Sequence, residues 1–137
     1  MRIYISRAEI GDEYGGKELY KDAFVLISEL ENRGHEIIYL SDYDNHKIKF
    51  YTEIYETISS CDCLLAFILR SGSTWRAAEV TYASRGVGVA EKFNFSMPVF
   101  LYIIEDCWHD NNLPNVHVLP ADIISAADLI EAKMKME

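Results

Sequence analysis

Apolar residues along the chain follow two spacings, one typical of strands and one typical of helices. Five short runs rich in β-branched and aromatic residues predict strands at residues 2–6, 36–40, 63–69, 98–105 and 116–119. Apolar residues recur at helical spacing over four segments, at residues 17–34, 50–60, 74–85 and 121–136. Because the strands alternate with helices, the pattern predicts an α/β fold whose parallel sheet is covered on both faces.

Two of these runs, at residues 63–69 and 98–104, are apolar at nearly every position, as expected of strands buried on both faces. We therefore predict that they are adjacent, central, parallel strands. The predicted architecture is a flavodoxin-like three-layer sandwich with a five-stranded sheet in the order 2-1-3-4-5. In such a sheet, ligands bind beyond the carboxyl ends of the strands, where the strand order reverses. The loops at residues 7–16 and 70–74 then border the binding crevice.

Composition narrows the class of protein. The chain has 137 residues, half of them apolar, with no repeat or linker, so we expect a single domain over residues 1–137. A net charge of −9 argues against binding a nucleic acid duplex. The apolar runs are far shorter than the roughly 20 residues of a membrane helix. No charged-then-apolar signal segment follows Met1, so we expect no membrane association and a cytoplasmic location.

The cysteines and histidines do not follow metal-binding patterns. Cys61, Cys63 and Cys107 form no pair of C-x-x-C motifs, and the four histidines lack the H-x-x-H and H-E-x-x-H spacings. We predict no metal site and interpret the cysteines as small core residues.

Residues 69–86 carry the most chemical information. A buried strand is predicted to lead there into a small polar loop and then a helix, whose free backbone N–H groups suit an anion. Hydroxyl donors, positive charge and a glycine surround that helix start, at Arg70, Ser71, Gly72, Ser73, Thr74 and Arg76. Glu79 follows within two turns of the helix start. A carboxylate beside an anion-binding loop can attack a sugar carbon with cationic character. The alternative is that Glu79 only complements the helix dipole and the serines only cap the helix.

Three stretches in sequence order carry a family resemblance. They are RIYIS at residues 2–6 followed by LYKDAFVLISELENRGHEI, I-x-x-C-D-C-L-L-A at 58–66, and E-V-T-Y-A from Glu79 followed by P-V-F-L at 98–101. In this order they resemble the nucleoside 2-deoxyribosyltransferase-like family. That family includes nucleoside deoxyribosyltransferases and nucleoside 5′-monophosphate N-glycosidases.

The resemblance implies that Glu79 is the nucleophile and that residue 73 contacts the 5′ end of the sugar. That second position is typically aspartate in the nucleoside transferases and serine in the monophosphate hydrolases, and here it is Ser73. A serine can donate to a phosphate, whereas an aspartate would repel it. The implied activity is cleavage of the N-glycosidic bond of a nucleoside 5′-monophosphate, by hydrolysis or base transfer, with no metal or organic cofactor.

Four residues near the first strand are further candidates. Tyr4 either orients Glu79 through its hydroxyl group or belongs to the core. Ser6, Arg7 and Gly11 are candidates to contact the base or the phosphate.

The chain also departs from the family pattern. The family commonly has an aspartate eight positions before the residue corresponding to Asp62, and Ile54 stands there. This difference keeps open a catalytically silent nucleotide-binding or self-associating module. In addition, S-T-W-R-A-A-E at residues 73–79 is similar to the helix of TIR domains that carries their NAD-cleaving glutamate. A TIR-like NAD hydrolase is therefore the enzyme alternative.

Family members are similar in forming homodimers with their sites near the interface. We expect a homodimer that uses the helices at residues 50–60 and 74–85. These helices carry more aromatic surface than one small core needs, at Phe50, Tyr51, Tyr55, Trp75 and Tyr82.

Overall fold

The computed structural model describes residues 1–6, 21–38, 56–68, 97–105 and 115–135. Within them lie five strands, β1 (Arg2–Ser6), β2 (Glu36–Ile38), β3 (Cys63–Ile68), β4 (Val99–Ile103) and β5 (Val116–Val118). Two long helices are described, α1 (Lys21–Asn32) and α2 (Ile123–Lys135). Residues 56–59 are also helical. The elements occur in the order that the apolar pattern predicts.

All five strands are parallel, in the order β2-β1-β3-β4-β5. β3 is buried at every position and pairs with β1 on one side and β4 on the other. The register of β3 and β4 runs from Leu64 opposite Val99 to Ile68 opposite Ile103. The prediction of two adjacent, central, parallel strands and of a flavodoxin-like α/β fold is therefore confirmed.

The alternation of side chains across the sheet separates two core clusters. On one face, Ile3 and Ile5 of β1 pack with α1 and α2, through residues such as Leu26 and Ile130. On the other face, Tyr4 of β1 packs in a second cluster with Ile58. We call these the α1/α2 face and the Tyr4 face.

Local capping sets the end of α1 and the start of α2. α1 ends at Asn32, two residues before the predicted end, because the N–H groups of Gly34 and His35 donate to Glu31 O and Leu30 O at 3.0 and 3.1 Å. This is a Schellman motif, and Gly34 has the positive φ of 91° that it requires. α2 begins at Ile123, two residues later than predicted, because Asp122 caps it by accepting the N–H of Ser125 at 2.9 Å.

Arg33 ties α1 to α2 across the α1/α2 face. Its guanidinium donates to Glu29 at 3.0 Å, to Asp128 at 2.8 Å and to Glu131. His35 Nε2 lies 3.2 Å from the second oxygen of Glu131. The hydrogen bond from Arg33 lowers the pKa of Glu131 below its usual value, against the opposing effect of partial burial. Glu131 therefore stabilises the helix pair more strongly when it is ionised.

Replacing Glu131 with glutamine is expected to lower the free energy of unfolding at pH 7 by about 1–2 kcal/mol, because a charge-assisted hydrogen bond is lost. The contribution of Glu131 is complete above the ordinary pKa of a glutamate in the unfolded chain and is lost as the pH falls through the lower folded-state pKa. The difference between wild type and Glu131→Gln should therefore narrow below about pH 4. Urea unfolding at several pH values from 7 to 3 measures it.

Asp128→Asn is the matched control for that measurement. The Asp128 carboxylate also contacts Arg33, but its side chain is 64% exposed. Asp128→Asn should therefore lower the free energy of unfolding by much less than Glu131→Gln does. A wild-type advantage over Glu131→Gln that stays constant over the whole pH range would contradict the assignment.

Candidate functional site

The strand order places the candidate site at the carboxyl ends of β1 and β3. From β1 the chain goes first to β2 at one edge of the sheet and then crosses to β3 on the other side of β1. The strand order therefore reverses between β1 and β3, and open parallel sheets bind their ligands beyond the strand ends at such a point. In the register, Ser6 at the end of β1 lies opposite Ala66 of β3. Adjacent strands are about 4.8 Å apart, so groups that leave both ends can reach one small ligand.

Two of the residues predicted for the site are described, and they share a face. Tyr4 and Ser6 are two positions apart on β1, so their side chains point to the same side of the sheet, the Tyr4 face. Both are completely buried. Tyr4 belongs to the core cluster of that face, which agrees with the core interpretation of this residue and leaves its predicted role towards Glu79 untested.

Ser6 has a distinctive environment. Apart from the tyrosines and cysteines of the core, it is the one buried polar side chain among the residues that the structure describes. It stands at the last position of β1, at the carboxyl end of the strand. A serine hydroxyl group can donate one hydrogen bond and accept up to two.

The other predicted site residues lie outside the described residues. They are Arg7, Gly11, Arg70, Ser71, Gly72, Ser73, Thr74, Arg76 and Glu79. Ile54, which stands at the position of the family aspartate, also lies outside them.

Asp62, within the family-like stretch at residues 58–66, has a structural role. Its Oδ2 accepts the backbone N–H of Arg2 at 2.7 Å, and its own N–H donates to Arg2 O at 2.8 Å. Both bonds lie at the amino end of β1, opposite to the candidate site. The Asp62 carboxylate therefore fixes the start of β1 and is too far along the strand to reach a ligand at Ser6.

The described cysteines behave as core residues, as predicted. Cys61 and Cys63 are both buried, and neither is part of a disulfide bond. Burial raises the pKa of the Cys61 thiol, which disfavours the nucleophilic thiolate. Cys107 lies outside the described residues.

The described parts of the chain lack both a metal-binding cluster and a membrane-spanning helix. No group of three or more histidine, cysteine, aspartate or glutamate side chains there is arranged to hold a metal ion. No described helix is both long enough and apolar enough to cross a membrane.

Sequence reasoning did not single out Arg33 or its partners. The pair Glu29–Arg33 has the i,i+4 spacing of a helical ion pair and was readable from the sequence. The partners Asp128 and Glu131 lie 95 and 98 residues further along the chain, so no local pattern points to them. The cluster joins two helices on the α1/α2 face, opposite to the face of Tyr4 and Ser6.

Comparison with known proteins bears on the fold. No protein-family model and no curated protein sequence matches the chain. Among solved structures, the chain is similar to BcmB, a CMP N-glycosidase from Clostridium botulinum, with a TM-score of 0.59 and 16% sequence identity. The match covers 96% of this chain and 99% of that chain. The chain therefore has the same kind of α/β fold as that enzyme over nearly its whole length.

Proposed function

We propose that the protein is an N-glycosidase of nucleoside 5′-monophosphates, built as a single domain, in which Glu79 is the nucleophile. The observation that carries the proposal is the similarity of fold to a CMP N-glycosidase over 96% of the chain. The strand order β2-β1-β3-β4-β5 reverses between β1 and β3, and the buried Ser6 lies at the end of β1. The family resemblance of the sequence supports the same activity independently of the fold.

The topology supports a location for Glu79 on the Tyr4 face. Connections between parallel strands of one sheet are right-handed in about 98% of cases. The chain moves from β2 to β3 and from β3 to β4 in the same direction across the sheet. The first of these connections packs Ile58 on the Tyr4 face. If the connection from β3 to β4, which includes Glu79, is also right-handed, it is expected on that face too.

The handedness of the first connection agrees with this inference. From β1 to β2 the chain moves in the opposite direction across the sheet, and α1 packs on the opposite face. Equal handedness requires this reversal. We therefore expect Glu79 to lie on the same side of the sheet as Tyr4 and Ser6, near the carboxyl ends of β1 and β3.

The proposed reaction has two steps. The Glu79 carboxylate attacks C1′ of the sugar, and the base leaves with the electron pair of the glycosidic bond and takes up a proton. Water then attacks C1′, which releases Glu79 and a pentose 5-phosphate; a second base in place of water gives base transfer. Tyr4 is the proposed partner that orients the carboxylate.

The proposed ligand contacts match the negative charge of a phosphate. The phosphate accepts hydrogen bonds from the hydroxyl groups of Ser71, Ser73 and Thr74 and from the backbone around Gly72. Positive charge comes from Arg70 and Arg76. The base or the phosphate is proposed to be contacted by Ser6 at the end of β1 and by Arg7 and Gly11, which follow it in the sequence.

The direct test is a product assay on the wild-type protein. The panel contains nucleoside 5′-monophosphates, including CMP, together with NAD. We expect the protein to release free base from at least one of the monophosphates, and chromatography measures the free base. Release from NAD alone would favour the TIR-like alternative. No release from any compound would overturn the enzyme proposal and leave a binding module.

The predicted phosphate contact is tested at Ser73. Wild-type protein should bind nucleoside monophosphates more tightly than the matching nucleosides. Ser73→Asp should narrow or reverse that preference, because it places a negative charge against the phosphate. Calorimetry on wild type, Ser73→Asp and the neutral control Ser73→Asn measures it. Equal wild-type affinity for nucleoside and nucleotide would contradict the phosphate contact.

We also propose a homodimer through residues 50–60 and 74–85. Light scattering at micromolar concentration should give twice the chain mass of 15.7 kDa. A mass of one chain would contradict this proposal and leave the enzyme proposal intact.

A further inference from the structure

We draw no further inference here: the strongest candidate, the apolar surface on the outer side of helices α1 and α2 where Phe24, Val25 and Ile124 are 43 to 50% exposed, carries no proposal because nothing in the structure shows what covers it.

Discussion

Replacing Glu79 with glutamine is expected to lower the rate of base release by about a thousandfold or more. Glutamine keeps the size and most of the polarity of the side chain but removes the charge that is proposed to attack C1′. Binding of the nucleotide should survive, because the proposed phosphate and base contacts involve other residues. The change should therefore appear in kcat, with little effect on the calorimetric Kd of the nucleotide that wild type cleaves fastest.

The matched control for this experiment is Glu31→Gln. Glu31 is exposed near the end of α1, which packs on the α1/α2 face, so the same chemical change there should leave the rate unchanged. Near-normal turnover by Glu79→Gln would eliminate Glu79 as the nucleophile. Loss of nucleotide binding along with turnover would mean that Glu79 positions the ligand, and circular dichroism separates this outcome from misfolding.

The second large effect is expected in the core. Phe100→Ala should lower the free energy of unfolding by about 3–5 kcal/mol, because a buried ring is replaced by a cavity in the central part of the sheet. Phe100 is completely buried in the cluster of the α1/α2 face, and its ring centroid lies 5.5 Å from that of His117 on β5. The strand that carries Phe100, β4, also pairs with the fully buried strand β3. Urea unfolding followed by circular dichroism measures it.

Phe24→Ala is the control that separates burial from residue type. Phe24 is 43% exposed on α1, and alanine is the better helix former, so we expect a change within about 0.5 kcal/mol. Equal losses at Phe24 and Phe100 would contradict the assignment of the core. If Phe100→Ala does not fold, Phe100→Leu provides a smaller change with the same expected direction.

Some elements of the fold could be predicted from the sequence because their signals are local. The unbroken apolar runs of β3 and β4 exclude a half-exposed strand, and the structure confirms both as central. Gly34 marks the end of α1 because few other residues adopt its positive φ. The start of α2 was missed by two residues, although Asp122 three positions before Ser125 is a recognisable capping pattern.

For the candidate site too, some features could be predicted from the sequence and others depend on the tertiary structure. The sequence by itself predicts its chemistry, from a glutamate, hydroxyl groups and arginines around one predicted helix start, in an order that resembles a known family. Only the tertiary structure decided that Tyr4 and Ser6 are completely buried on one face, and that Asp62 serves the opposite end of β1. It likewise decided that Arg33 joins two helices through carboxylates 95 and 98 residues away. The physical reason is range: helix and strand preferences act over a few neighbouring residues, whereas burial and ion pairing depend on strands and helices that the chain brings together from distant positions.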